Sequence, residues 1–169
     1  MSDSTSERIA LLKKARILPD LIQNRAAVAP EEEAIRQYDR QSGKWISTSY
    51  GELAEKIHAW HNAFRALDLP RGARVAILLP NSIDHVCADQ AALSNALVPV
   101  PLHANDTPGA SAFVLIDSQA SILVTTGMDR WKAIESTRVP LPDLQTVILT
   151  EETPPAKCSG DIELRSAEE

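Results

Sequence analysis

From Arg71 to Thr150 the chain passes repeatedly between short apolar runs and helix-patterned segments, and nothing else in it restricts the fold so tightly. The runs are Val75–Leu79 (VAILL), Val98–Leu102 (VPVPL), Ser121–Thr125 (SILVT) and Thr146–Leu149 (TVIL). A continuous apolar run such as VAILL, bounded by Arg74 and Pro80, fits a strand buried on both faces. The segments between the runs carry helix punctuation. Asn81 or Ser82 can cap a helix reaching about Ala96, and Asp106 or Thr107 can cap another with Pro108 at its first position. Gly127 precedes a third, with Met128, Trp131 and Ile134. Strand and helix in repetition require a mostly parallel sheet flanked by helices, an α/β fold. Pro99 and Pro101 lie two apart, so the same side of their strand lacks donors. That points to an edge strand or a broken ladder.

Upstream, Ser49 and Glu52 have the spacing of a capping box. Tyr50, Leu53, Ala54, Ile57, Trp60, His61, Phe64 and Leu67 then recur at helical spacing, which predicts an amphipathic helix packed on a core. Before it, Glu33–Tyr38 and Lys44–Thr48 flank the turn-rich DRQSG and read as a small β-hairpin ending its turn at Gly43. Leu18–Ala29 reads as a short helix, with Pro19 near its start and Pro30 past its end. The organisation expected is a flexible leader over residues 1–17, a folded domain over 18–150, and a polar tail over 151–169 with little to bury.

Composition narrows the function classes. A net charge of −6 with no strongly basic stretch argues against a nucleic-acid surface, which must neutralise phosphates. No run approaches the ~20 apolar residues that cross a bilayer, so no transmembrane segment is expected. The polar N-terminus lacks the apolar core of a secretory signal. Cys87 and Cys158 match no zinc or redox spacing and read as thiols of a reducing compartment, which gives a cytoplasmic expectation.

In open α/β sheets ligands bind beyond the carboxyl ends of the strands. The four exits read PNS after Leu79, HANDTP after Leu102, TGMD after Thr125 and TEET after Leu149. None is a phosphate cradle, and the chain has six glycines with neither GxxxxGK[ST] nor GxGxxG. His103, Asn105 and Asp106 form the most polar exit, but Asp-Thr-Pro is itself helix-capping chemistry. His58 and His61 share a helix without a third ligand at suitable spacing, so they read as boundary histidines. His85 and Cys87 are two apart on a helix and face different sides, which disfavours a nucleophile pair. Glu31, Glu32 and Glu33 read as a solvated turn, and Cys158 as an exposed thiol.

The order of these segments resembles the N-terminal region of the acyl-adenylate-forming (AMP-binding) superfamily, which includes acyl-CoA synthetases, luciferases and peptide-synthetase adenylation domains. Ser49-Tyr50-Gly51-Glu52-Leu53 is similar to its T/S-Y-x-E-L helix start, Gly72–Ser82 to its G-D-R-V-A-I-x-L-x-N-S strand and turn, and Ala96–Thr107 to its second core motif. The wording VPVPLHANDTP resembles long-chain fatty-acyl-CoA synthetases most. Ala96 stands where the family commonly has glycine. The resemblance implies that a complete relative activates a carboxylate with ATP and Mg²⁺ to an acyl-adenylate and passes the acyl group to coenzyme A. The family's phosphate loop, acyl pocket and C-terminal lid have no counterpart in these 169 residues. No catalytic, cofactor-binding or metal residue is therefore carried over, and no cofactor is expected on this segment. The expectation is an N-terminal fragment of a fatty-acid–CoA ligase, incompetent alone, whose partner is the remainder of the synthetase or a second copy of itself. Its uncovered fourth strand would drive association. The alternative is a non-catalytic interaction or regulatory module on the same scaffold.

Overall fold

A computed structural model describes residues 3–39, 42–154 and 162–167. Two helices lead, α1 (Asp3–Lys14) and α2 (Leu18–Val28), followed by a hairpin of β1 (Glu33–Asp39) and β2 (Lys44–Ser49). Then come α3 (Tyr50–Ala66), β3 (Arg74–Leu78), α4 (Ile83–Ser94), β4 (Val98–Pro101), α5 (Pro108–Asp117), β5 (Ala120–Thr125), α6 (Met128–Glu135), β6 (Thr146–Leu149) and β7 (Glu163–Ser166).

The strands β3 to β7 form one five-stranded sheet in the order β4-β3-β5-β6-β7, with every neighbouring pair parallel. Alternate residues serve opposite faces. Val75, Ile77, Ile122 and Val124 meet the Leu53–Ile57–Trp60–Phe64 stripe of α3 and the alanines of α4, Ala88, Ala91 and Ala92. Ala76, Leu78, Leu123 and Val147 meet Ala112 and Leu115 of α5 and Trp131 and Ile134 of α6. Each large side chain so buried contributes about 1.5–3 kcal/mol. The capping box of α3 is present: Ser49 Oγ accepts from the Glu52 amide at 3.3 Å and Glu52 Oε2 from the Ser49 amide at 2.8 Å. β4 is an edge strand, as its prolines require. The amides of Val98 and Leu102 donate inward to Ala73 and Ile77 carbonyls, both at 2.9 Å, leaving Pro99 and Pro101 on the outer side.

Two elements lie outside the expected folded domain of residues 18–150. The leader expected to be loose contains α1, which Asn24 ties to α2 by donating to the Leu11 carbonyl at 3.3 Å. The polar tail contributes β7, whose ladder is continued on either side by the Glu163 amide to Gln145 O and the Ala167 amide to Leu149 O, both 2.9 Å. Ile162 and Leu164 reach the core beneath it. Both elements are short, and their apolar positions are diluted by charge, so local pattern alone does not reveal them. With β7 in place, β6 is buried along its whole length, so the bare fourth strand expected from the sequence is not present. The turn residues Arg40 and Gln41 of the hairpin, and Cys158, lie outside the described residues.

Candidate functional site at the carboxyl ends of the strands

The sheet order places a topological switch point between β3 and β5: the chain leaves β3 for β4 on one side, then crosses back to β5 on the other. Ligands of such sheets settle in the crevice outside that point. A cleft of about 960 Å³ opens there. Its floor gathers the strand exits, including Asn81 and Ser82 after β3, Asn105 after β4, Thr126 after β5 and Glu151 after β6. Its wall is the hairpin, through Gln37, Tyr38 and Trp45.

The floor is built by turn chemistry. Ser82 Oγ caps α4 by accepting from the His85 amide at 3.2 Å, and Thr107 Oγ1 caps α5 through the Ala110 amide at 3.2 Å. Asp106 Oδ2 takes the His103 amide at 3.1 Å, closing the loop between β4 and α5. Arg130 of α6 donates to the Ala104 carbonyl and ties that loop to the next helix. Glu152 reaches back to the Met128 amide at 3.4 Å, over the start of α6. Gly127 leaves the room: a Cβ there would stand 2.5 Å from Glu152 Oε1. The wall is held from the other side by Gln37, whose Oε1 accepts the Ile83 amide at 2.8 Å.

The polar exits singled out in the sequence thus converge on one cleft, but their side chains are largely spent on the backbone. Asp106 acts as a turn residue, Asn105 lies exposed in the cleft lining, and His103 is exposed but does not line it. His85 Nδ1 faces the Leu79 carbonyl at 3.4 Å, while the buried Cys87 thiol is pushed up to about 12, first by desolvation and then by the charge of Asp84. Such a thiol is inert at neutral pH. His58 and His61 stack 6.3 Å apart on α3, outside the cleft. His61 Nδ1 meets Ser94 Oγ at 2.9 Å and Asn95 Nδ2 at 3.1 Å, and His58 Nδ1 meets Asn62 at 3.3 Å. Glu33 is held below the usual carboxylate range by hydrogen bonds from Ser47 and Arg36. Glu32 pairs with Arg25.

Charge in the cleft is mixed. Arg36 and Arg130 face a floor that also carries Asp84 and Glu151. Neighbouring protein desolvates the Asp84 carboxyl and raises its pKa, with Lys56 opposing. The aromatic wall is a T-shaped pair, Tyr38 and Trp45, with centroids 5.5 Å apart and exposures of 49% and 65%. The hairpin wall and Arg130 were missed in the sequence. Gln37 and Ile83 are 46 residues apart, and no local signal couples them. A triphosphate with its metal needs several free amides converging on one point. The starts of α4, α5 and α6 already have Ser82 and Gln37, Thr107, and Glu152 as partners. Among the described residues no cluster of three metal-ligating side chains occurs. The residues present therefore do not fit ATP and Mg²⁺.

A family model described as AMP-binding enzyme matches residues 22–168. The chain is a member of the AMP-binding enzyme family. Within that family it is similar to fatty acyl-CoA synthetase A of Dictyostelium discoideum, 28% identical over 124 residues, covering 73% of this chain and 18% of that protein. It is similar also to the long-chain-fatty-acid–CoA ligase FadD13 of Mycobacterium tuberculosis, 24% identical over 104 residues, covering 62% of this chain and 20% of the ligase. Among solved structures, the M. tuberculosis fatty acyl CoA synthetase superposes with a TM-score of 0.69 at 20% identity, over 89% of this chain and 32% of that one. The inhibitor-bound N-terminal domain of FACL13 from M. tuberculosis gives 0.68 at 21% identity, over 86% and 39%. At these identities the superpositions speak for the fold, an AMP-binding N-terminal region. The chain spans 18–20% of the length of the curated relatives it matches.

Proposed function

We propose that these residues are the N-terminal portion of an AMP-forming fatty-acid–CoA ligase, providing scaffold to the complete enzyme and inactive without the rest. The observation that carries this reading is the family match over 22–168, with relatives named as fatty acyl-CoA synthetase and long-chain-fatty-acid–CoA ligase. ATP, Mg²⁺ and coenzyme A then belong to the complete enzyme, and a fatty acid is its acyl substrate. Inactivity alone is supported by the absence of a phosphate-loop motif in the sequence and by a cleft floor whose helix starts have partners already. Electrostatic stabilisation of developing charge is usually the largest catalytic contribution, and among the described residues no array of free donors stands ready to give it. The partner is the remaining part of the ligase, packed against this sheet. A cytosolic setting accords with the free, buried Cys87.

Pyrophosphate exchange into ATP tests the reading. The 169-residue chain should show no exchange with any fatty acid. A polypeptide joining it to the remainder of a long-chain ligase should exchange with fatty acids in preference to aromatic acids. Exchange that stays with the isolated chain through repurification would overturn the fragment reading. Silence of the joined polypeptide would turn it towards a scaffold kept for binding a partner.

A further inference from the structure

The five-stranded sheet ends on two strands of opposite character. β4 turns Pro99 and Pro101 outward, so its free side lacks those donors. β7 is the other edge, and among the described residues no strand lies beyond it. Its inward bonds run from the Glu163 amide to the Gln145 carbonyl and from the Ala167 amide to the Leu149 carbonyl, both 2.9 Å. Strand alternation then turns the amide and carbonyl of Leu164 outward. Glu163 and Arg165 stand on either side of Leu164 and, two apart, share one face of the sheet. They pair along the strand at 3.0 Å, with their side chains 55% and 37% exposed. Arg165 Nε is buried and has no partner among the described residues.

This edge is complementary to itself. Laid antiparallel on a copy with the two-fold axis at Leu164, it exchanges two backbone hydrogen bonds between Leu164 and the partner's Leu164. Glu163 then stands opposite the partner's Arg165, and Arg165 opposite the partner's Glu163. Both are non-hydrogen-bonded positions, where side chains approach most closely. Residues opposite each other must share a face, so an acid and a base can meet across such an axis only when an even number of positions separates them. The strands of the hairpin do not meet that condition. On β1, Arg36 lies three positions from Glu33 and three from Asp39, and β2 carries Lys44 with no acid.

We propose that β7 pairs antiparallel with the β7 of a second copy about Leu164, joining two five-stranded sheets edge to edge, with reciprocal Glu163–Arg165 pairs fixing the register. A net charge of −6 repels copies at large, so the opposed charges at the edge decide whether two copies stay together. Opposite charges directly across a ladder stabilise it, and like charges there oppose it. The contact is small, so the dimer is weak and exchanges with monomer. The inference is independent of the ligase reading, because it rests on the edge alone.

Analytical ultracentrifugation of the full chain over a range of concentrations tests it. The wild type should form a dimer that raised salt weakens. Glu163→Arg alone and Arg165→Glu alone should each weaken it by roughly tenfold or more, since two attractive cross-strand pairs become two repulsive ones. Mixing these two variants sets acids opposite bases again and should restore association between them. The double exchange, Glu163→Arg with Arg165→Glu, should restore a dimer of its own that does not mix with wild type. Phe113→Ser, on the exposed face of α5, should change nothing. Circular-dichroism melting checks that each variant is folded. Should Arg165→Glu fail to fold, Glu163→Arg decides alone. A monomer at all concentrations, a dimer indifferent to the single variants, single variants whose mixture stays monomeric, or a dimer dissolved by Phe113→Ser would overturn the proposal.

Discussion

Ala96 closes α4 in the left-handed region, with φ at +57°. Leu97 donates to the Ala92 carbonyl at 2.9 Å across it, the six-to-one bond of a Schellman turn, and the Ala96 carbonyl takes the Gly72 amide at 2.8 Å. The tight turn is thus made despite the missing glycine, at the steric cost that a Cβ incurs there. Ala96→Gly should therefore stabilise the fold by about 1 kcal/mol, raising the midpoint by roughly 2–4 °C in a thermal melt. His61 is a second residue with a measurable signature. Burial lowers its pKa, with smaller contributions from the charges of His58 and Arg65. The folded state then binds this proton less readily than the unfolded chain. Its contribution is complete above the ordinary histidine value of about 6.5 and is lost as pH falls through that value towards the lower folded one. Denaturant melts between neutral and mildly acidic pH should show a decline that His61→Gln flattens.

At the scale of elements, the hairpin and its tether decide the cleft. Among the described residues β1 and β2 pair only with each other, so the ribbon depends on other contacts to hold its angle against the sheet. Gln37 supplies one such contact at the start of α4. Gln37→Ala leaves the Ile83 amide to whatever water reaches it. The expected cost is about 1 kcal/mol, together with faster hydrogen exchange in residues 33–49 and little change in β5 or β6. Equal acceleration throughout the sheet would show that the tether supports the whole fold. The helices and strands themselves were legible wherever burial enforces a period. The α3 stripe, the run VAILL and the prolines of β4 all stand where the sequence placed them. α1 and β7 were not legible, because one bond from Asn24 and a parallel partner 17 residues away organise them.

For the whole molecule, the question is what the outermost strands do. β4 ends the sheet with outward prolines, a protected edge. β7 ends the other side with only Glu163 and Arg165, paired at 3.0 Å, to discourage a further strand. The Leu164 amide faces away from β6, since Glu163 and Ala167 donate towards it. The association expected from a bare fourth strand is therefore moved to β7. Sedimentation velocity should show concentration-dependent association, suppressed by adding the remainder of a close relative. A clean monomer over a wide concentration range, negative for an apolar-surface dye, would count against an open edge.

By itself the sequence determined the α/β class, four of the five strands of the sheet, the faces of α3 and the resemblance that the AMP-binding family match bears out. Those features follow from local periodicity and from caps within three or four residues, which a linear string displays directly. Only the tertiary structure decided that β7 completes the sheet, that the hairpin walls the switch-point cleft, and that Gln37 and Arg130 fasten it. Each of those rests on one hydrogen bond or one parallel pairing between distant residues. Such contacts leave no periodic trace, because a single polar side chain satisfies a single backbone group and its neighbours in sequence remain free to vary.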